Sequence, residues 1–327
     1  MRLTSSISRA LLHNLSRRGL ASIMAPNFST SGAQTAGVLL KTIPEAQQSI
    51  IARELTVRLR SSFDEAAASV AVELVGGRND ANLKEELLQV LTTRIEQGSP
   101  ESVASLLGQS SDLSGQLVTA AANYLAEPAN QRPAESLDPD ATETTEDDKD
   151  TPSDVALQWL RFAKIASPTG RTESQEDALF RSALDFLHHP NKSTALAARD
   201  LVFSLFSNSS AAQRDLNAVR ATVSSLINTQ DAKLQQTLGY ALWMRLLAAS
   251  DDHDLSAIDL VDDGYWEPLV AGLRHGDAER RKMCLDILKR SVALAVEQGK
   301  LDAVTNKSTG KSTQLLNIKF GCSNGAF

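Results

Sequence analysis

The chain has 327 residues, 42% of them hydrophobic and 22% charged, with 17 Gly and 10 Pro. That composition excludes a collagen, a coiled-coil rod and wholesale disorder, and the length suits two domains or one extended array. The formal net charge is −7 but unevenly placed, so no global basic field recruits nucleic acid. Residues 1–44 hold five basic residues (Arg2, Arg9, Arg17, Arg18 and Lys41) and no acid, whereas residues 127–154 hold ten acids against Arg132 and Lys149. Two cysteines, Cys284 and Cys322, are too few for a disulfide framework or a Cys-rich zinc site, and they suit a reducing compartment. No run of about 18 apolar residues is present, so no membrane insertion is expected.

In residues 1–23, Leu3, Ile7, Leu11 and Leu15 recur every fourth residue among arginines and serines. On a helix they form one apolar stripe flanked by positive charge, the signature of a mitochondrial transit peptide. Arg18-Gly19-Leu20-Ala21-Ser22 also resembles the pattern cut by the matrix processing peptidase. Translation starting at Met24 would instead remove the segment and leave a cytoplasmic chain. On either reading residues 1–35 stand outside the fold.

From Pro44 onward the apolar spacing is helical and strand alternation is absent. Pro44 opens a helix with Ile50, Ile51, Leu55, Val57 and Leu59, and a second runs from Asp64 to Gly76-Gly77. Asp80 is placed to cap a third, with Leu83, Leu87, Val90, Leu91 and Ile95, which ends at Gly98. Ser99-Pro100-Glu101 combines a capping residue, proline at the first helical position and an early acid, so a short fourth helix begins there. A fifth covers Leu113 to Ala126, with Leu117, Ala121 and Tyr124 on one face.

Residues 127–152 carry four prolines and a single leucine, Leu137. Such a segment buries too little apolar surface to offset its ordering entropy and reads as a disordered acidic linker. Helical pattern resumes at Ser153. Val155, Trp159, Phe162 and Ala166 share a face, and Ser167-Pro168-Thr169-Gly170 ends that helix. Phe180, Ala183, Leu184 and Leu187 form the next stripe, which stops at His188-His189-Pro190. Amphipathic stretches follow at 193–206, 211–227 and 231–249; one begins near Trp266, and a long one spans Ala278 to Gln298. The expected fold is all-α, an irregular α-solenoid of HEAT or armadillo type, with repeats over 36–126 and 153–304 and an irregular tail over 305–327.

No complete catalytic site emerges. Gly310-Lys311-Ser312-Thr313 resembles the end of a Walker A loop, but Thr305 stands where the pattern needs glycine and no strand precedes it. Adjacent His188 and His189 suit a helix C-terminus better than a metal site. The acid-rich stretch from Asp251 to Asp263 lacks the EF-hand spacing. Cys284, among Met283, Leu285 and Leu288, reads as a small core residue. No metal is therefore expected. The stretch that invites an RNA reading holds Arg274, Arg280, Arg281, Lys282, Lys289 and Arg290. Against it, Lys282, Asp286 and Arg290 at i, i+4, i+8 read as an intrahelical ion-pair ladder, and no aromatic residues interleave.

Residues 264–292 carry Gly264-Tyr265-Trp266-Glu267-Pro268-Leu269, then Gly272-Leu273, Arg280-Arg281-Lys282, Leu285, Leu288 and Lys289-Arg290-Ser291. This resembles a segment in the N-terminal helical-repeat region of the large eukaryotic SpoU-class tRNA guanosine 2′-O-methyltransferases. The resemblance implies a helical scaffold for tRNA modification, with tRNA as partner. It also implies a separate C-terminal knotted domain that binds S-adenosylmethionine. No catalytic or cofactor residue of that family maps onto this chain, whose helical pattern ends near Gly299, so the chain reads as the beginning of a longer protein with an unrelated tail. Read physically, Trp266, Leu269 and Leu273 form a buried stripe with Pro268 in the first helical turn. Cys284, Leu288, Ser291 and Ala295 form the packing face of the next helix. The alternative function is a mitochondrial helical adaptor for a protein partner.

The targeting expectation is directly testable. Residues 1–35 fused to a fluorescent reporter should enter mitochondria, and changing Arg17 and Arg18 to Glu should abolish import. A cytosolic wild-type fusion would favour initiation at Met24.

Overall fold

The computed structural model describes residues 44–76, 80–108, 110–128, 130, 154–166, 171–207, 216–229, 233–248, 263–297 and 299. Among these residues the regular structure is helical, with no strand. The transit-like segment, most of the acidic linker, the aspartates from Asp251 to Asp262, the Gly310-Lys311 motif and the tail lie outside them. So does the Ser167–Gly170 stop. The chain divides into two compact units, Met1–Ala183 and Leu184–Phe327.

The first unit holds α1 (Glu45–Ser61), α2 (Glu65–Gly76), α3 (Ala81–Glu96), α4 (Pro100–Leu107), α5 (Ser111–Ala126), α6 (Val155–Ile165) and most of α7 (Glu173–Phe186). Local chemistry sets several of these boundaries. Asp64, Asp80 and Asp154 each accept a backbone N–H through Oδ1, from Ala67 at 2.9 Å, Leu83 at 3.2 Å and Leu157 at 3.3 Å. Thr172 and Gln175 form a reciprocal capping box at the start of α7, at 3.3 and 2.8 Å. α3 stops in a Schellman motif: Gly98 adopts φ 97° and its N–H donates to the Ile95 carbonyl, while the Ser99 N–H donates to Arg94. Ser99 differs from expectation, because its side chain makes no capping bond to α4. Proline at the first helical position and Glu101 are the start signals that act there.

Packing in this unit joins helices that are neighbours in sequence and helices two or three apart. α1 lies on α2 and α3; α2 also meets α4 and α5; α6 closes over α3, α4 and α5. The stripes read from spacing are the buried ones. Leu83, Leu87, Val90, Leu91 and Ile95 of α3 are buried, as are Leu117 and Ala121 of α5, whereas Tyr124 is half-buried. α6 inserts Trp159, 2% exposed, which meets Phe162 edge-on at 5.9 Å between ring centres and Tyr124 at 6.1 Å. Burying a side chain of this size stabilises by roughly 1.5–3 kcal/mol or more. In α1 the pattern divides: Ile51, Leu55 and Leu59 are buried, but Ile50 and Val57 are 60% and 55% exposed.

The second unit contains the end of α7, α8 (Lys192–Ser207), α9 (Leu216–Asn228), α10 (Lys233–Ala248), α11 (Asp263–Leu273) and α12 (Ala278–Glu297). α10 is its central helix, packed by α8, α9 and α12, while α11 packs on α12. A helix with neighbours on several sides can be apolar around much of its circumference, and Leu238, Tyr240, Leu242, Trp243 and Leu247 of α10 are all buried. Asn191 starts α8 by accepting from the Ser193 and Thr194 N–H groups at 2.8 and 3.3 Å.

Helix-end substitutions should separate these roles in thermal melts. Gly98→Ala is expected to cost about 1–2 kcal/mol, because a Cβ is strained at that positive φ. Asp80→Ala should cost about 1 kcal/mol through the lost cap. Ser99→Ala, with no cap bond to lose, should cost under about 0.5 kcal/mol.

Candidate functional site

The six basic residues singled out in the sequence lie on α12 and at the C-terminal end of α11. α11 begins at Asp263, earlier than the spacing around Trp266 suggests, so Pro268 sits inside the helix and not in its first turn. Proline there cannot donate to the carbonyl four residues back. Its own carbonyl is used instead, accepting from the Tyr240 hydroxyl at 3.2 Å. Trp266 and Leu273 are half-buried; Leu269 is the fully buried member of that stripe.

The contact that seats α11, α12 and α10 together is made at Gly272. A Cβ built there would come within 2.2 Å of Cys284 Sγ and 2.7 Å of the Tyr240 hydroxyl oxygen. Only a residue without a side chain permits this approach. Cys284 is fully enclosed, and burial pushes its thiol up to about 11. Burial also raises the Tyr240 hydroxyl well above its usual range, with the Cys284 thiol adding to the effect. The nearby Arg280 guanidinium works against both rises.

This seating decides which way each basic residue faces. Arg280 departs from the expected RNA-contact set: it is only 8% exposed, one helical turn before Cys284 on the same buried face, and its Nε is enclosed without a hydrogen-bond partner. Arg281 is exposed, and its Nη1 donates to the His275 and Gly276 carbonyls, both at 2.7 Å, closing the turn after α11. Lys282 and Arg274 are exposed and Arg290 is half-buried. Lys289 is exposed and reaches Asp286 Oδ1 at 3.8 Å, so the aspartate that the spacing assigns to Lys282 and Arg290 faces a third cation. The outer face of α12 therefore reads Arg281, Lys282, Leu285, Lys289, Val296, with Leu285 42% and Val296 55% exposed. The inner face is Cys284, Ile287, Leu288, Ser291 and Ala295, matching the packing face read from spacing. Asp277 starts α12 by accepting from the Glu279 N–H at 2.9 Å and pairs with Lys233 at 2.9 Å. The Lys233 ammonium, then that backbone donor, hold its carboxyl below the usual carboxylate range.

His188 and His189 form a turn at the end of α7. His189 is buried against Phe186, its Nδ1 accepts from the Asn191 N–H at 3.2 Å, and its carbonyl accepts from Gln235 at 3.4 Å. Among the described residues no group of three or more His, Cys, Asp or Glu is placed to hold a metal ion. No described helix is long and apolar enough to cross a membrane. Along the chain Gly272 figures only as part of the resembling segment; a glycine inside an otherwise apolar helix is the local signal for the close packing it permits.

Comparison with protein-family models and with curated proteins finds no match for this chain. Its candidate site thus rests on the geometry of α11 and α12.

Two measurements probe that geometry. Gly272→Ala should destabilise by about 1–3 kcal/mol through overpacking, and adding Cys284→Ala should recover part of the loss. In a Cys322→Ser background Cys284 should resist iodoacetamide at pH 8 and react fully once unfolded, since a buried, protonated thiol is a poor nucleophile. Rapid alkylation of the folded protein would show that α11 does not seal the thiol.

Proposed function

We propose that this chain is the helical scaffold portion of a tRNA guanosine 2′-O-methyltransferase, an irregular α-solenoid that presents tRNA and performs no methyl transfer itself. The observation that supports it most is the partition of the segment carrying the family resemblance. Leu269, Gly272, Cys284, Leu288 and Ser291 build the packing, and Arg281, Lys282 and Lys289 face solvent with Arg274. Exposed arginines and lysines on one face of a helix can neutralise successive phosphates, and such contacts position a nucleic acid without reading its sequence. S-adenosylmethionine chemistry belongs, on this reading, to a separate catalytic domain.

The second reading, a mitochondrial adaptor for a protein partner, draws on Leu285 and Val296. These apolar side chains interrupt the basic face and would be desolvated by a protein surface more favourably than by a phosphate backbone. Ile50 and Val57 on α1 add a second exposed apolar pair in the first unit.

The test is a gel shift with tRNA and with random RNA of equal length. The scaffold reading expects preference for tRNA, weakened by the triple change of Arg281, Lys282 and Lys289 to Ala. The salt slope should fall by about one for each phosphate contact removed. Arg280 is left intact because its replacement would disturb the core. Leu285→Gln, which removes the apolar side chain without adding charge to the basic face, should leave tRNA binding nearly unchanged on this reading and weaken capture of a protein partner on the other. Methyl incorporation into tRNA by this chain alone would overturn the scaffold reading.

A further inference from the structure

The first unit contains a cleft of about 550 Å³ at the C-terminal ends of α1 and α3, lined by Arg60, Ser61, Phe63, Gln89, Thr93 and Arg94 among others. Among the described residues, none that lines it carries a carboxylate. Arg60 is exposed and its Nη2 donates to Gln89 Oε1 at 3.5 Å, which leaves the Gln89 amide nitrogen as a donor. The Arg94 guanidinium lies 4.9 Å from the centre of the Phe63 ring, and its Nε is enclosed without a hydrogen-bond partner. Stacking on the ring fixes the plane of that guanidinium and leaves its edge for a ligand. The two hydroxyls are already committed: Ser61 Oγ donates to the Arg58 carbonyl at 2.8 Å and Thr93 Oγ1 to the Gln89 carbonyl at 2.9 Å. The free donors are therefore cationic or amide N–H groups.

Each arginine stands in the last turn of its helix, where the negative dipole end favours a cation. That accounts for basic residues at each helix end, Arg58 and Arg60 on α1 and Arg94 on α3. It does not account for two guanidinium groups sharing one open cleft with no acid between them, an arrangement that a bound anion would relieve.

We propose that this cleft binds a phosphate group. A carboxylate is satisfied by one guanidinium fork, whereas a phosphate can accept from two arginines and an amide approaching from separate helices. The site is independent of α12 and of the tRNA reading, and it takes either inorganic phosphate or a phosphate ester.

Equilibrium dialysis of the full chain against radiolabelled orthophosphate and 5′-AMP at low ionic strength tests this, with adenosine as the neutral control. Both anions should bind saturably and adenosine should not. Tighter binding of 5′-AMP would identify a nucleotide-borne phosphate, and equal binding would identify the free ion. Arg60→Gln and Arg94→Gln should each weaken binding about tenfold or more, the scale of a lost charge-assisted hydrogen bond. Lys282→Gln on α12 should change nothing. Because loss of Arg94 also removes its stacking on Phe63, Thr93→Glu provides a second variant: at that exposed position it places a carboxylate in the cleft and should abolish binding. Absence of saturable binding by either anion would overturn the proposal. So would binding indifferent to both Arg60→Gln and Thr93→Glu, or adenosine competing as well as 5′-AMP.

Discussion

The close approach of α11 to α12 at Gly272 is the constraint on which the candidate RNA face depends. Cys284 Sγ and the Tyr240 hydroxyl occupy the volume where any side chain at 272 would lie. Once Cys284 points inward, the helical period fixes the rest of α12. Residues 287, 288, 291 and 295 share the buried side, and 281, 282, 285 and 289 share the exposed side. The basic face is thus the complement of a packing decision made on the opposite side of the helix. The same rotation buries Arg280, one position from an exposed arginine.

That pairing shows why a count of basic residues is a poor guide to a binding surface. Arg280 and Arg281 are chemically identical and adjacent, yet one lies in the interior beside Tyr240 and Cys284 while the other closes a turn through two carbonyls. Lys289 and Asp286 face each other at 3.8 Å on the solvent side, where an ion pair of this kind contributes little. What remains for a partner is a mixed strip of cations with two exposed apolar side chains. The two functional readings differ in which half of that mixture they use.

The arginines of the first unit illustrate the converse. Arg60 and Arg94 belong to different helices and attract no notice along the chain, since each looks like an ordinary basic residue near a helix end. α1 and α3 pack together, and the shared cleft follows from that packing. Phe63, in the short connection after α1, then orders one of the two guanidinium groups.

Much of the architecture is local and so was readable from the chain. The all-helical class, the apolar stripes of α3 and α6, the Asp80 cap and the Gly98 stop follow from period, capping chemistry and the φ that glycine tolerates. Those features depend on residues within a turn or two of each other. Three departures have a tertiary origin. Ile50 and Val57 carry apolar side chains at helical spacing yet face outward, because α2 and α3 cover the other side of α1. Pro268 lies within α11, where a carbonyl acceptor role toward Tyr240 on α10 gives it a use. Arg280 is buried because Gly272 lets α11 settle onto Cys284. Spacing specifies which residues share a face, but only the neighbouring helices determine which face is covered.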